Sequence, residues 1–160
     1  MPVLVPDDQT GNDVHDILKQ HFEIHDLGDA KKVLGMEIHQ NEETGFAKLT
    51  QSGYIDKLLQ KFEMSKSKTV STPFPHNLKL NTTDGNNLEN VTIYRELVSS
   101  LIHAMNYTHP DIAYPVLVLA RYMQCLKTLH WKAAKHVLRY LKELNQWELS
   151  SLENESCLVS

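Results

Sequence analysis

The chain has almost no cysteine. Cys125 and Cys157 lie far apart and outside any metal-ligand or redox spacing. That rules out a disulfide framework and fits a reducing, intracellular compartment, without separating cytoplasm from nucleus. No apolar run approaches the ~20 residues of a membrane span, and the opening MPVLVPDDQ is too short and too acidic for a signal peptide. Metal-ligand patterns are lacking too. His21 and His25 are spaced to share a helix face, whereas His130 and His136 fall on opposite faces. Neither pair has a cysteine or carboxylate at the spacing that would complete a site.

Basic residues are missing from the last eighteen positions, which carry four acids. Residues 1–90 are acidic as well, with nine Lys/Arg against fourteen Asp/Glu. Between these ends, residues 91–142 hold seven bases and two acids. The formal charge of −4 therefore hides a basic segment. A solvated helix face accounts for such a run as well as a polyanion partner does. The 41% hydrophobic content permits a real core.

The pattern predicts an α+β chain. Residues 3–8 read as a short strand stopped by Pro6, and Thr10-Gly11-Asn12 as a turn capping a helix over 13–22. Residues 33–40 and 46–50 read as a β-hairpin with a polar turn between. Tyr54, Ile55, Leu58, Leu59 and Phe62 give a helix over 52–63 its apolar side. Residues 65–90, rich in Ser, Thr, Asn and Pro, read as an extended or disordered linker at a subdomain boundary. Three helices follow, at about 91–107, 110–124 and 128–144. Pro115 within the second costs roughly 3 kcal/mol unless that helix starts later or kinks. Residues 146–160 read as a frayed tail.

Taken in order, several blocks form a pattern: FEIHDLGDAKKVLGMEIHQNEETGFAKLTQSGYIDKLLQKFEM, a linker containing Thr72-Pro73, YRELVSSLIHAMNYTHPDIAYPVLVLARYM, and HWKAAKHVLRYLK. From about residue 11 to 143 the chain resembles the C-terminal half of a copia-type retrotransposon reverse transcriptase. The resemblance implies a polymerase hand: a palm remnant with a β-hairpin over 1–64, the linker 65–90, and a helical, thumb-like bundle over 91–145. Gly35, Met36 and Glu37 then fall in a hairpin like the primer grip. Arg95, Arg121, Lys132, Lys135, Arg139 and Lys142 become candidates for sugar-phosphate contacts, which position a duplex without reading its sequence. The implied partner is an RNA or DNA template-primer.

The family's chemistry uses two Mg2+ ions held by three carboxylates. The early palm strand that supplies one of them has no counterpart here, since the chain begins too late. Asp7 and Asp8 resemble an eroded Tyr-X-Asp-Asp pair, with Val5 in place of Tyr and Pro6 inside the hairpin. An acidic stretch without a role is the favoured reading of the pair. Ser99 stands where the family has Gly, and His109 where it has Arg. No cofactor of the chain's own is expected. The resulting expectation is a non-catalytic fragment that keeps a template-primer surface. The alternatives are a sequence-independent binding module, a self-associating helical module, or a product with no selected function.

Overall fold

The structure, a computed structural model, describes residues 8–25, 30–41, 46–75, 78, 80, 86, 90–124 and 127–157. The strand expected at 3–8 lies outside these residues up to position 7. Asp8 opens helix α1 (Asp8–His21). The helix thus begins five residues before its expected start and takes in Thr10-Gly11-Asn12. A mid-helix glycine costs only ~1 kcal/mol relative to Ala, which turn chemistry alone does not overrule. No other helix or strand packs extensively on α1 among the described residues.

Three antiparallel strands follow in the order β1-β2-β3: β1 (Lys32–Val33), β2 (Met36–Asn41) and β3 (Phe46–Thr50). β1 and β2 meet through a two-residue turn, Leu34-Gly35, closed by the Val33–Met36 pair. Both turn residues have positive φ, +51° and +83°, as a type I′ turn requires. In the second pairing Glu37 faces Thr50 and Ile38 faces Leu49.

Helix α2 (Ser52–Lys61) starts directly after β3 and buries Ile55, Leu58 and Leu59 along one stripe. Helix α3 (Val91–Tyr107) keeps its expected limits. Its N-terminus is capped by Asn90, whose side chain accepts a hydrogen bond from the Ile93 N–H at 3.1 Å. The second expected helix divides in two. Pro110–Ile112 form a 3-10 turn, and α4 spans Ala113–Ala120. Pro115 is thereby third in α4, within the first turn, where a missing N–H forfeits no intrahelical bond. Helix α5 runs from Thr128 to Cys157, so helix occupies most of the stretch expected to fray.

One core joins these helices. Ile55, Leu58, Leu59 and Phe62 from before the linker pack with Leu97, Leu101, Val116, Leu119, Val137, Leu138 and Leu141 from beyond it. The linker therefore separates elements in sequence without separating cores. Its first part lies along α5. Lys142 Nζ donates to the carbonyls of Ser65 and Ser67 at 2.8 and 2.7 Å, Arg139 Nε donates to Lys68 O, and His136 Nε2 donates to Thr72 O at 3.0 Å. Further on, the Tyr122 hydroxyl donates to Leu80 O at 2.8 Å and Thr128 N–H to Asn86 O at 3.0 Å.

Leu138 is fully buried and Trp147 is 68% exposed. Leu138→Ala is expected to lower stability by ~2–5 kcal/mol through the cavity it leaves, and Trp147→Ala by no more than ~0.5 kcal/mol. Urea denaturation followed by circular dichroism reads both changes.

Candidate nucleic-acid interface

The first candidate surface is the β1–β2 turn. A left-handed conformation is unfavourable for Leu34, which has a Cβ, by roughly 1–2 kcal/mol. Leu34 is also 65% exposed. Neither turn stability nor burial explains a leucine there, and strained, exposed positions cluster at contact sites. Gly35 carries the second positive φ. A Cβ on it would lie an ordinary 3.9 Å from the His103 ring of α3. Its conformation, and no close approach within this chain, is what calls for glycine.

Glu37 has an internal task. Its Oε1 lies 2.6 Å from where a Cβ on Gly53 would stand, and 3.9 Å from Lys32 Nζ. The carboxylate thus sits over the first turn of α2, a turn with no acidic residue of its own. Negative charge at that end stabilises the helix. Glu37 was a candidate for contact with nucleic acid; the structure gives its carboxylate to α2. Met36 is half-buried beside the turn.

The sheet is fixed to α3 through Gln51, which is fully buried. Its Oε1 accepts from Thr108 Oγ1 at 2.6 Å, and its Nε2 donates to His103 Nδ1 at 3.3 Å. The His103 ring lies between Tyr54 and Tyr107, with both centroids at 4.7 Å. The Tyr54 hydroxyl donates to Ser100 O at 3.1 Å. Ser99, next to it, is exposed.

The second candidate surface lies on α5. Lys132, Lys135 and Arg139 come together with Lys68 and His136 around an open groove of about 630 Å³. Among the described residues no acidic side chain lines it. Lys135 Nζ sits 5.3 Å above the Trp131 ring, which holds it in place. Burial pushes the His136 pKa below its ordinary value; the Thr72 carbonyl opposes this and Arg139 reinforces it. His136 therefore lines the groove as a neutral ring, its one N–H already given to the Thr72 carbonyl. The other expected cations lie elsewhere. Arg95 Nε donates to Met123 O at 3.1 Å, and Arg121 is exposed just past the end of α4. Lys142 is engaged with two carbonyls of the linker. Sequence reasoning missed Lys68 and His136, because nothing local to Lys66-Ser67-Lys68 indicates that it folds against a helix seventy residues on.

His109 offers no charge to a ligand. It is 2% exposed, and its Nε2 is buried with no hydrogen-bond partner among the described residues. Burial lowers its pKa, against the raising effect of Glu148 and Asp111. Asp8 stands in the first turn of α1, and Asp7 lies outside the described residues. Among the described residues, no group of three or more His, Cys, Asp or Glu is placed to hold a metal ion. No described helix is long and apolar enough to cross a membrane.

Two outcomes follow from this geometry. Leu34→Asn keeps the turn but suits a left-handed φ, so it should stabilise the fold by on the order of 1 kcal/mol in urea titration. For His109, the lowered folded pKa means that the unfolded chain binds the proton more readily, so stability rises with pH. The contribution is complete above the ordinary histidine value of 6.5 and drains away as the pH falls below it. Urea midpoints should fall between about pH 7 and about pH 5, and His109→Gln should flatten that fall.

Residues 3–76 match the family described as reverse transcriptase (RNA-dependent DNA polymerase). The chain is 39% identical over 132 residues to the retrovirus-related Pol polyprotein from transposon TNT 1-94 of Nicotiana tabacum, covering 78% of this chain and 10% of that protein. It is 36% identical over 138 residues to the retrovirus-related Pol polyprotein from transposon RE2 of Arabidopsis thaliana, covering 82% of this chain and 9% of that protein. It is 33% identical over 132 residues to a putative transposon Ty5-1 protein of Saccharomyces cerevisiae, covering 80% of this chain and 42% of that protein. The chain thus spans about a tenth of the two Pol polyproteins and less than half of the yeast protein. No solved structure gives a significant match. The chain belongs to the reverse transcriptase family and is copia-type retrotransposon Pol sequence.

Proposed function

We propose that this chain is the template-primer-positioning part of a copia-type reverse transcriptase and that it does not polymerise by itself. One observation carries this reading: the buried Gln51 amide ties the end of β3 to α3, and the strained Leu34-Gly35 turn stands near His103 of that helix. A stiff tip beside a helix can hold the end of a primer in register while chemistry happens elsewhere. The groove on α5 adds fixed positive charge of the kind that grips phosphate without regard to sequence. The non-catalytic half of the reading rests on the sequence, where Val5-Pro6-Asp7-Asp8 stands in place of a Tyr-X-Asp-Asp hairpin. Nucleotidyl transfer needs carboxylates gathered around two metals.

A primed RNA template with Mg2+ and deoxynucleotides tests the proposal. The purified chain is expected to incorporate no nucleotide. It is also expected to bind the primed template at low salt, with affinity falling by about 0.9 log units per log unit of salt for each duplex phosphate neutralised. Metal-dependent incorporation, or no binding at low salt, would overturn the reading.

A further inference from the structure

We infer that the groove lined by α5 and by Met64, Ser67, Lys68, Pro75 and Leu78 holds single-stranded nucleic acid and discriminates against duplex. This rests on the proposed function and adds the form of the strand. The rim carries four fixed cations, Lys68, Lys132, Lys135 and Arg139. The floor is apolar, built from Met64, Pro75, Leu78, Leu129 and Ala133. A duplex offers such a surface only half of what it can bind. Its bases are paired and stacked inside, so phosphates reach the rim and nothing apolar reaches the floor. A single strand presents both, a charged backbone and free base faces.

The size agrees. About 630 Å³ falls in the range of pockets that enclose a drug-sized ligand, and so suits a few unpaired nucleotides. Among the described residues no Phe, Tyr or Trp lines the groove. Bases therefore rest on aliphatic and proline surfaces, and binding is sequence-tolerant and mostly electrostatic. The cations are set for this. Arg139 uses Nε on the Lys68 carbonyl, which leaves its other guanidinium N–H groups as donors. The Trp131 ring holds Lys135, and Lys132 is exposed.

Fluorescence anisotropy with labelled oligo(dT), and with a blunt duplex of the same length, tests the inference on the full chain at low salt. Oligo(dT) is expected to bind on the order of tenfold more tightly than the duplex. The double variant Lys132→Gln/Lys135→Gln should weaken oligo(dT) binding and flatten its log–log salt slope by about 1.4, from ~0.7 per phosphate contact. The charge-keeping double variant Lys132→Arg/Lys135→Arg should bind as the parent does, as should Lys57→Gln on the exposed side of α2. Circular dichroism confirms that each variant is folded. If the Gln variant binds oligo(dT) with the parent's affinity and slope, the groove assignment is wrong while the nucleic-acid reading stands. If the parent binds neither single strand nor duplex, the nucleic-acid reading itself falls. Displacement of oligo(dT) by polyglutamate of equal charge, at equal concentration, would overturn the strand assignment by showing a general polyanion site.

Discussion

Gln51 is the residue on which the candidate surface depends. It stands where β3 ends and α2 begins, fully buried, with its amide oxygen and nitrogen both hydrogen-bonded to α3 and the residue that follows it. An amide left unpaired in that position costs ~1–3 kcal/mol, so the junction holds only when α3 brings Thr108 and His103 to it. The same two bonds tie the β3–α2 junction to α3. The Tyr54 hydroxyl on the Ser100 carbonyl and the His103 ring beside Tyr54 reinforce that junction.

The cations of the basic segment divide between holding the chain and facing solvent. Lys142 and Arg139 tie linker carbonyls to α5, and Arg95 ties α3 to the turn after α4. A cation that donates to a carbonyl still carries its charge, so Arg139 can serve the linker and the groove together. This explains how a chain of net charge −4 keeps a local positive surface. Its acids lie mainly outside residues 91–142, and the groove collects one base from the linker and three from α5.

Much of the architecture was legible because its signals are local. The stripe Tyr94, Leu97, Val98, Leu101 specifies a helix with one buried face, so α3 fell on its expected limits. Val33 to Leu49 carries enough alternation and turn chemistry for a hairpin. Pro115 forced the choice of a late start for α4, and a 3-10 turn supplied it. The start of α1 was less legible, because Thr10-Gly11-Asn12 has turn chemistry whether or not a helix runs through it.

From sequence alone came the α+β class, most of the helices, the membership in a polymerase family and the candidate residues by type, since periodicity, caps and block order are properties of neighbours along the chain. The tertiary structure decided which candidates meet. It turned Glu37 inward over Gly53, buried His109 as a neutral side chain, and drew Lys68 across to Lys132, Lys135 and Arg139. Those outcomes rest on contacts between residues fifteen to seventy positions apart. Burial and hydrogen-bond partners at such separations are set by how the faces pack, and no local pattern encodes them.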